Sequence, residues 1–184
     1  MVATALLGRA ARGACCLRCG AEEHRDRFDL HQGAARRVRW KRGARAQAIG
    51  PSRGGQTTKI HALTDVVGRP YAITLTPGNV ADVSVAPALL ERAVGARHIL
   101  ADKGYDADAL RCAIRRIGAV PVIPGRRTRT KPIRYDRARY KERHLVENAF
   151  CRLKDFRRVA TRYDKLATNF LSAVAIATLV AYWL

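Results

Sequence analysis

The order of apolar patterns along residues 54–184 is the feature that most limits the folds open to this chain. Two stretches in which apolar and polar residues alternate, 57–65 ("TTKIHALTD") and 71–78 ("YAITLTPG"), flank a Val-Gly-Arg-Pro turn and predict an antiparallel hairpin. Beyond it, helical patterns alternate with short apolar runs. The predicted order is strand, strand, helix, strand, helix, strand, basic loop, helix and apolar helix. This order indicates an α/β fold.

The charge balance indicates a phosphate-rich partner. The 184 residues contain 35 Lys and Arg against 15 Asp and Glu, which gives a net charge of +20 and favours nucleic acid. A membrane surface is the competing partner, because residues 169–184 ("NFLSAVAIATLVAYWL") carry no charge. Sixteen residues, however, make a helix of only ~24 Å, which is shorter than the ~30 Å bilayer core. We therefore predict a buried terminal helix and no membrane attachment.

Five scattered cysteines predict a reducing compartment, and we expect the protein to be cytoplasmic and associated with DNA. Cys16 and Cys19 form a C-x-x-C pair that is followed by His24 and His31. A zinc site could be built from these four side chains. Because no second pair of this kind is present, the sequence disfavours a structural zinc.

Residues 140–154 ("YKERHLVENAFCRLK") predict a helix with one polar edge. At about 100° per residue, Tyr140, Arg143, Glu147 and Lys154 fall within an arc of roughly 60°, beside a separate apolar stripe. The simplest interpretation is a solvated face with an Arg143–Glu147 pair that contributes a few tenths of a kcal/mol. The functional interpretation is a site in which Arg143 and Lys154 contact phosphate oxygens and Tyr140 stacks on a base or donates to a phosphate.

Asp102 directly follows a short apolar strand, at the carboxyl edge of the predicted sheet, where α/β folds tend to bind ligands. If the helix that contains Glu147 packs on this sheet, Glu147 lies at the rim within reach of Asp102. Two converging carboxylates form a hard-oxygen site for Mg²⁺, which can activate water or a 3′-hydroxyl for attack on a phosphodiester. A helix cap or turn former is the alternative for Asp102. Asp106 and Asp108 are predicted caps of the helix that follows.

A basic segment, residues 125–143 ("GRRTRTKPIRYDRARYKER"), precedes the Glu147 helix. It holds nine Lys or Arg among nineteen residues. Phosphate contact is the functional interpretation, with Arg126, Arg127, Arg129 and Lys131 as the predicted DNA-binding residues at its start. A solvated run of charge is the alternative.

These residues resemble a known family. The spacing of Tyr140, Arg143, Glu147 and Lys154 is similar to the Y-R-E-K signature of insertion-sequence transposases of the IS4 and IS5 groups. The stretches "SRGGQTTKIHALTDVVGRP", "LTPGNVADVSVAPALL", "LADKGYDADALR" and "KDFRRVATRYDKLATNFLSAV" also resemble the IS5 group, so that the similarity covers residues 43–184.

The resemblance implies an RNase H-like mixed sheet flanked by helices, with a DDE metal site that binds Mg²⁺ or Mn²⁺. It implies a transposable-element enzyme that cuts transposon ends and joins the 3′-hydroxyl to target DNA. Asp102 would be the second aspartate of the site and Glu147 its glutamate. A homo-oligomer remains open.

The start of the chain departs from the family pattern. In the family the first aspartate lies on the central strand in an Asp-x-Thr context, and this chain contains no Asp-x-Thr. Asp29, in "DRFDLHQGAARRVRWKRG", is the candidate for this third metal ligand. We therefore predict an atypical, poorly ordered basic segment at 1–42, a poorly represented central strand, and an incomplete catalytic domain at 43–184. Out-of-frame translation of residues 1–42 remains an open alternative.

Three other functions remain open at this stage. The copy could be inactive and act as a DNA-binding transposase remnant that breaks no bond. The remaining two are a membrane-associated basic protein and a basic ribonuclease H or other nuclease, and the signature spacing disfavours the nuclease.

Overall fold

The computed structural model describes residues 2–4, 14–19, 46–52 and 55–184. Within these residues, seven strands form one sheet in the order β3, β4, β1, β2, β6, β7, with β5 also paired to β4. The strands are β1 (Val2–Thr4), β2 (Ala14–Cys19), β3 (Gly50–Ser52), β4 (Gly55–Thr64), β5 (Pro70–Pro77), β6 (His98–Ala101) and β7 (Val120–Val122). The β4–β5 pair is antiparallel, whereas β2, β6 and β7 run parallel to one another. The sheet is therefore mixed, and the predicted hairpin and α/β class are confirmed.

Helices cover both faces of the sheet. They are α1 (Asp82–Leu90), α2 (Asp108–Arg116), α3 (Arg137–Tyr140), α4 (His144–Lys154), α5 (Arg157–Ala160) and α6 (Ala167–Trp183), with short 3-10 turns at Lys103–Tyr105 and Lys141–Arg143. Successive side chains of a strand point to opposite faces of the sheet, and each face packs against its own set of helices. On one face, α1 and α2 pack against Leu63 and Ile99. On the other face, α4, α5 and α6 pack against Ile60, Ala62 and Leu100.

The centre of the sheet is formed by strands from the start of the chain. Strand β2 pairs in parallel with β6, in a register that places Cys16 beside Leu100 and Leu17 beside Ala101. Strand β1 lies between β2 and β4. The central position, which the sequence predicted to be poorly represented, is therefore occupied by the backbone of residues 2–4 and 14–19.

The turn of the β4–β5 hairpin packs against α4. Asp65 shapes this turn because its Oδ1 accepts hydrogen bonds from the backbone N–H groups of Val67 and Arg69, both at 2.9 Å. Gly68 has a φ of +88°, which favours glycine. A Cβ atom at this position would lie only 3.0 Å from the carbonyl oxygen of Leu145 in α4. The hairpin turn and α4 are thus in backbone contact.

The terminal helix α6 is only half buried, which corrects the prediction of a buried helix. Phe170, Val174 and Ala177 face the core, whereas Ile176 and Leu179 are 63% and 51% exposed. A helix that packs on a single layer needs one apolar stripe, and the uniformly apolar sequence of α6 provides more than one. Among the described helices, none combines the length and apolar character needed to cross a membrane.

Arg162 joins the segment before α6 to the sheet and is buried. Its guanidinium donates to Thr58 Oγ1, to Gln47 O at 2.6 Å and to Asp164 O at 2.8 Å. It also lies 4.8 Å from the ring centre of Phe170. This one side chain therefore donates to backbone and hydroxyl oxygens from three segments of the chain.

We expect Arg162→Met to lower the free energy of unfolding by about 2–4 kcal/mol, because the buried acceptors lose charged donors. Urea unfolding followed by circular dichroism measures the change. Arg158→Met is the matched control, since Arg158 is 66% exposed and pairs with Asp164 at the surface. Equal losses of unfolding free energy in the two variants would show that the buried hydrogen bonds of Arg162 stabilise the fold no more than a surface pair does.

His61 is fully buried in β4 and its Nε2 lies 2.6 Å from Thr76 Oγ1. Among the described residues, its Nδ1 has no hydrogen-bond partner. Burial lowers the pKa of His61 to about 4; nearby Asp82 opposes this shift and Lys59 adds to it. The imidazole is therefore neutral at physiological pH.

This pKa predicts a loss of stability in mild acid. Below pH 6.5 the unfolded chain binds a proton at His61 that the folded chain does not bind until pH falls to about 4. Between pH 7 and pH 5 this linkage should cost about 2 kcal/mol. Urea unfolding at the two pH values measures the difference, and His61→Gln should reduce it. An unchanged difference in the variant would assign the acid sensitivity to other groups.

Candidate metal and DNA site

Asp102 lies immediately after β6 and remains extended, with φ −69° and ψ 164°. It is the N-cap of the 3-10 helix Lys103–Tyr105, and its carboxylate accepts a hydrogen bond from the backbone N–H of Lys103. The cap interpretation is therefore correct, and the side chain remains partly exposed. Because Leu100 faces α4, strand alternation assigns Asp102, two residues further on, to the face of the sheet that α4 covers.

Glu147 lies in the first turn of α4, beside the apolar stripe that packs on the sheet. Its Oε1 is 3.0 Å from Nη2 of Arg143, and both side chains are partly exposed. The guanidinium of Arg143 also lies 5.4 Å from the ring centre of Tyr140. The predicted i,i+4 pair is thus present, and the structure gathers Tyr140, Arg143 and Glu147 along one edge. Lys154, in the last turn of α4, is exposed.

Strand β2 connects the two halves of the candidate site. The 3-10 turn that Asp102 caps and the 3-10 turn Lys141–Arg143 that precedes α4 both contact β2. The sequence of β2, "ACCLRC", contains no acidic residue. Asp29, the candidate third ligand, lies outside the described residues. Among the described residues, no three His, Cys, Asp or Glu side chains are grouped closely enough to hold a metal ion.

The start of the basic segment is attached to the turn that follows Asp102. Arg126 Nη2 donates to Gly104 O at 2.7 Å, and its Nε donates to Lys103 O at 3.2 Å. Arg129 forms ion pairs with Asp106 and Asp108, at 2.6 and 2.7 Å. These two guanidinium groups therefore support the loop as well as adding positive charge. Arg127 and Lys131 are exposed.

Asp106 is the centre of this attachment. Its fully buried carboxylate accepts hydrogen bonds from Arg111 Nε at 2.9 Å, from Arg129 Nε at 2.6 Å and from the backbone N–H of Arg126 at 2.7 Å. Burial raises its pKa, but these hydrogen bonds outweigh burial and lower the pKa of Asp106 to about 2. The prediction that Asp106 and Asp108 cap the helix that follows is wrong, because the N-cap of α2 is Ala107 and no side chain caps it. The carboxylate of Asp106 instead binds donors in α2 and in the basic segment.

The network around Asp106 could not be found from sequence. Asp106 and Arg111 are five residues apart, which is not a helical pair spacing, and Arg129 follows much later in the chain. Only the fold brings them together.

Comparisons with known proteins agree with the predicted family. The profile of the Transposase DDE domain family matches residues 27–184. A Brucella ovis protein named as a transposase for insertion sequence element IS6501 is 41% identical over 122 residues, which cover 66% of this chain and 94% of that protein. A Burkholderia cepacia protein named as a transposase for insertion sequence element IS402 is 33% identical over 121 residues, which cover 60% of this chain and 55% of that protein. No solved structure matches the chain.

The chain therefore belongs to the family of transposases with a DDE domain. This confirms the resemblance to insertion-sequence transposases and supports a role in DNA transposition. The chain spans nearly the whole length of the Brucella ovis protein and about half the length of the Burkholderia cepacia protein.

Proposed function

We propose that the chain cleaves DNA at the ends of an insertion sequence and joins the 3′-hydroxyl to target DNA, with Asp102 and Glu147 as its metal-binding carboxylates. The main support is that the turn after Asp102 and the turn before α4 contact the same strand, β2. Strand alternation adds that Asp102 belongs to the face that α4 covers. We also infer an RNase H-like fold, because an antiparallel hairpin adjoins parallel strands in one mixed sheet.

The donor set suits Mg²⁺ or Mn²⁺. In sites that act on phosphates, one or two carboxylates, together with water and substrate oxygens, commonly bind Mg²⁺. Asp102 and Glu147 are both partly exposed, so an ion and a DNA strand can approach them. A bound ion would activate the attacking water or hydroxyl and neutralise charge on the phosphodiester. Asp29 remains the proposed third ligand.

The chain's own residues position these carboxylates and bind the strand. The backbone N–H of Lys103 orients Asp102, and Arg143 orients Glu147. In this proposal Arg143 and Lys154 contact phosphates beside the carboxylates, and Tyr140 contacts a base or phosphate. The cations at the start of the basic segment extend the contact; they are Arg126, Arg127, Arg129 and Lys131.

A strand-cleavage assay tests the proposal. A duplex with the terminal inverted repeats of its insertion sequence is incubated with the full chain in Mg²⁺ or in EDTA. We expect cleaved strands in Mg²⁺ and none in EDTA. Binding that weakens with salt but yields no cleavage in either condition would contradict the catalytic proposal.

A second candidate function is a DNA-binding protein of the same family that breaks no bond. The observation that favours it is the sequence of β2, which supplies no carboxylate next to β6. In the β2–β6 register Leu17 pairs with Ala101, the last residue of β6. The residue that follows Leu17 in β2 is Arg18, not an acidic residue. The cleavage assay distinguishes the two candidates.

A further inference from the structure

A cavity of about 260 Å³ lies between the hairpin turn, α4 and the end of α6. The turn contributes Gly68 and Arg69 to its lining, α4 contributes Asn148 and Arg152, and α6 contributes Tyr182. Its volume is slightly below the roughly 300–1,000 Å³ of sites for drug-sized ligands. The cavity therefore suits a group smaller than such a ligand.

Two arginine side chains line this cavity, and each lies over an aromatic ring. The guanidinium of Arg69 is 4.7 Å from the ring centre of Trp183, and that of Arg152 is 5.4 Å from the ring centre of Tyr182. An aromatic ring orients a guanidinium group that lies over its face. The N–H groups of that guanidinium point outward in its own plane and remain available for hydrogen bonds. Both cations are thus oriented before any ligand arrives.

The charge of the cavity is only partly balanced. Arg69 Nε donates to Asp65 Oδ2 at 2.7 Å, which uses one of its five N–H donors. Arg152 forms no ion pair with a carboxylate of the described residues; its contact with Tyr182 is a cation–π contact. Two guanidinium groups against one carboxylate leave a net positive charge, and Asn148 adds an amide. An anion with several acceptor oxygens would satisfy these donors.

We propose that this cavity binds a phosphodiester group of a DNA strand through Arg69, Arg152 and Asn148. The identification of the anion as DNA rests on the proposed function, whereas the preference for an anion rests on the two arginines. Arg152 follows Glu147 by five residues, or about 7.5 Å along the helix axis. On the helical projection the two side chains point about 140° apart, so the cavity lies on another side of α4 from Glu147. It anchors the strand and takes no part in bond cleavage.

The test compares Arg152→Gln with Arg92→Gln in the full chain. Arg92 is an exposed arginine that follows α1, whose buried residues pack on the opposite face of the sheet. Both variants lose one charge. Dissociation constants are measured by fluorescence anisotropy for a random-sequence duplex between 50 and 200 mM salt.

If the cavity binds a phosphate, Arg152→Gln reduces the magnitude of the log–log salt slope by about 0.9, and Arg92→Gln leaves it nearly unchanged. Tyr182→Phe, which keeps the ring, should retain the slope, whereas Tyr182→Ala should partly reproduce the effect of Arg152→Gln. Equal slopes for the two arginine variants would overturn the proposal. A second outcome would also overturn the proposal: polyglutamate binding that depends on Arg152 together with DNA binding that does not. The cavity would then bind an acidic peptide rather than DNA. Because the measurement uses binding alone, it is independent of the cleavage assay that tests the proposed function.

Discussion

Glu147→Gln is expected to reduce Mg²⁺-dependent DNA cleavage by about 100-fold or more, since an amide binds a hard divalent cation far more weakly than a carboxylate. The fold should tolerate the change, because Glu147 is partly exposed and its ion pair with Arg143 is a surface pair. Cleavage of the inverted-repeat duplex at fixed enzyme concentration measures the effect. The unfolding midpoint of the variant verifies that it remains folded.

Glu142→Gln is the matched control, because Glu142 is exposed, lies one turn before α4 and loses the same charge. We expect this variant to retain cleavage. If both variants lose activity equally, general electrostatics rather than metal binding by Glu147 explains the result. If neither loses activity, Glu147 is not a ligand and the Y-R-E-K spacing has no catalytic meaning in this chain.

Asp106→Asn is expected to lower the free energy of unfolding by about 3–5 kcal/mol. The substitution removes the carboxylate that pairs with Arg111, whose side chain is only 3% exposed, so a buried charge loses its counter-ion. The amide keeps a single acceptor oxygen, which can serve either Arg111 or the N–H groups of Arg126 and Arg129. Its NH2 group then faces the remaining donors. Chemical unfolding measures the loss, and the rate of trypsin cleavage at Arg126 and Arg127 should increase as the basic segment is released.

Asp108→Asn is the control for the Asp106 variant. Asp108 also pairs with Arg129, but its side chain is 78% exposed, and exposed pairs contribute little. We expect nearly unchanged stability and trypsin sensitivity. A loss as large as that of Asp106→Asn would mean that Arg129, rather than the buried carboxylate, holds the basic segment in place.

Local periodicity was sufficient to predict much of the architecture. The β4–β5 hairpin, the strand before Asp102 and helix α4 all appear where alternating or helical patterns placed them, since each element buries one face. Strands β1 and β2 were not predicted, because residues 2–4 and 14–19 belong to a stretch without sustained alternation. Their position depends on pairing with β4 and β6, which are distant in sequence.

In the candidate site, too, local contacts were predicted and contacts between distant segments were missed. Glu147 and Arg143 were predicted as a pair because they are four residues apart on one helix, and the ion pair is present. The roles of Asp106 and Arg162 were missed because their partners come from distant segments: Arg129 for Asp106, and Gln47 and Thr58 for Arg162. The sequence also gave no sign that Arg126 and Arg129 would bind the protein's own oxygens.

The backbone contact between Gly68 and Leu145 limits where the start of α4, and with it Glu147, can lie. Leu145 lies two residues before Glu147 on α4. The start of this helix can therefore come no closer to the hairpin turn than the contact with Gly68 allows. The position of the helical turn that carries Glu147 is thus set partly by a residue that has no side chain, on a hairpin remote from Glu147 in the sequence. Adding a single methyl group at Gly68 would press on the Leu145 carbonyl from a backbone conformation that side chains rarely adopt, and the first turn of α4 would have to move by a few tenths of an ångström.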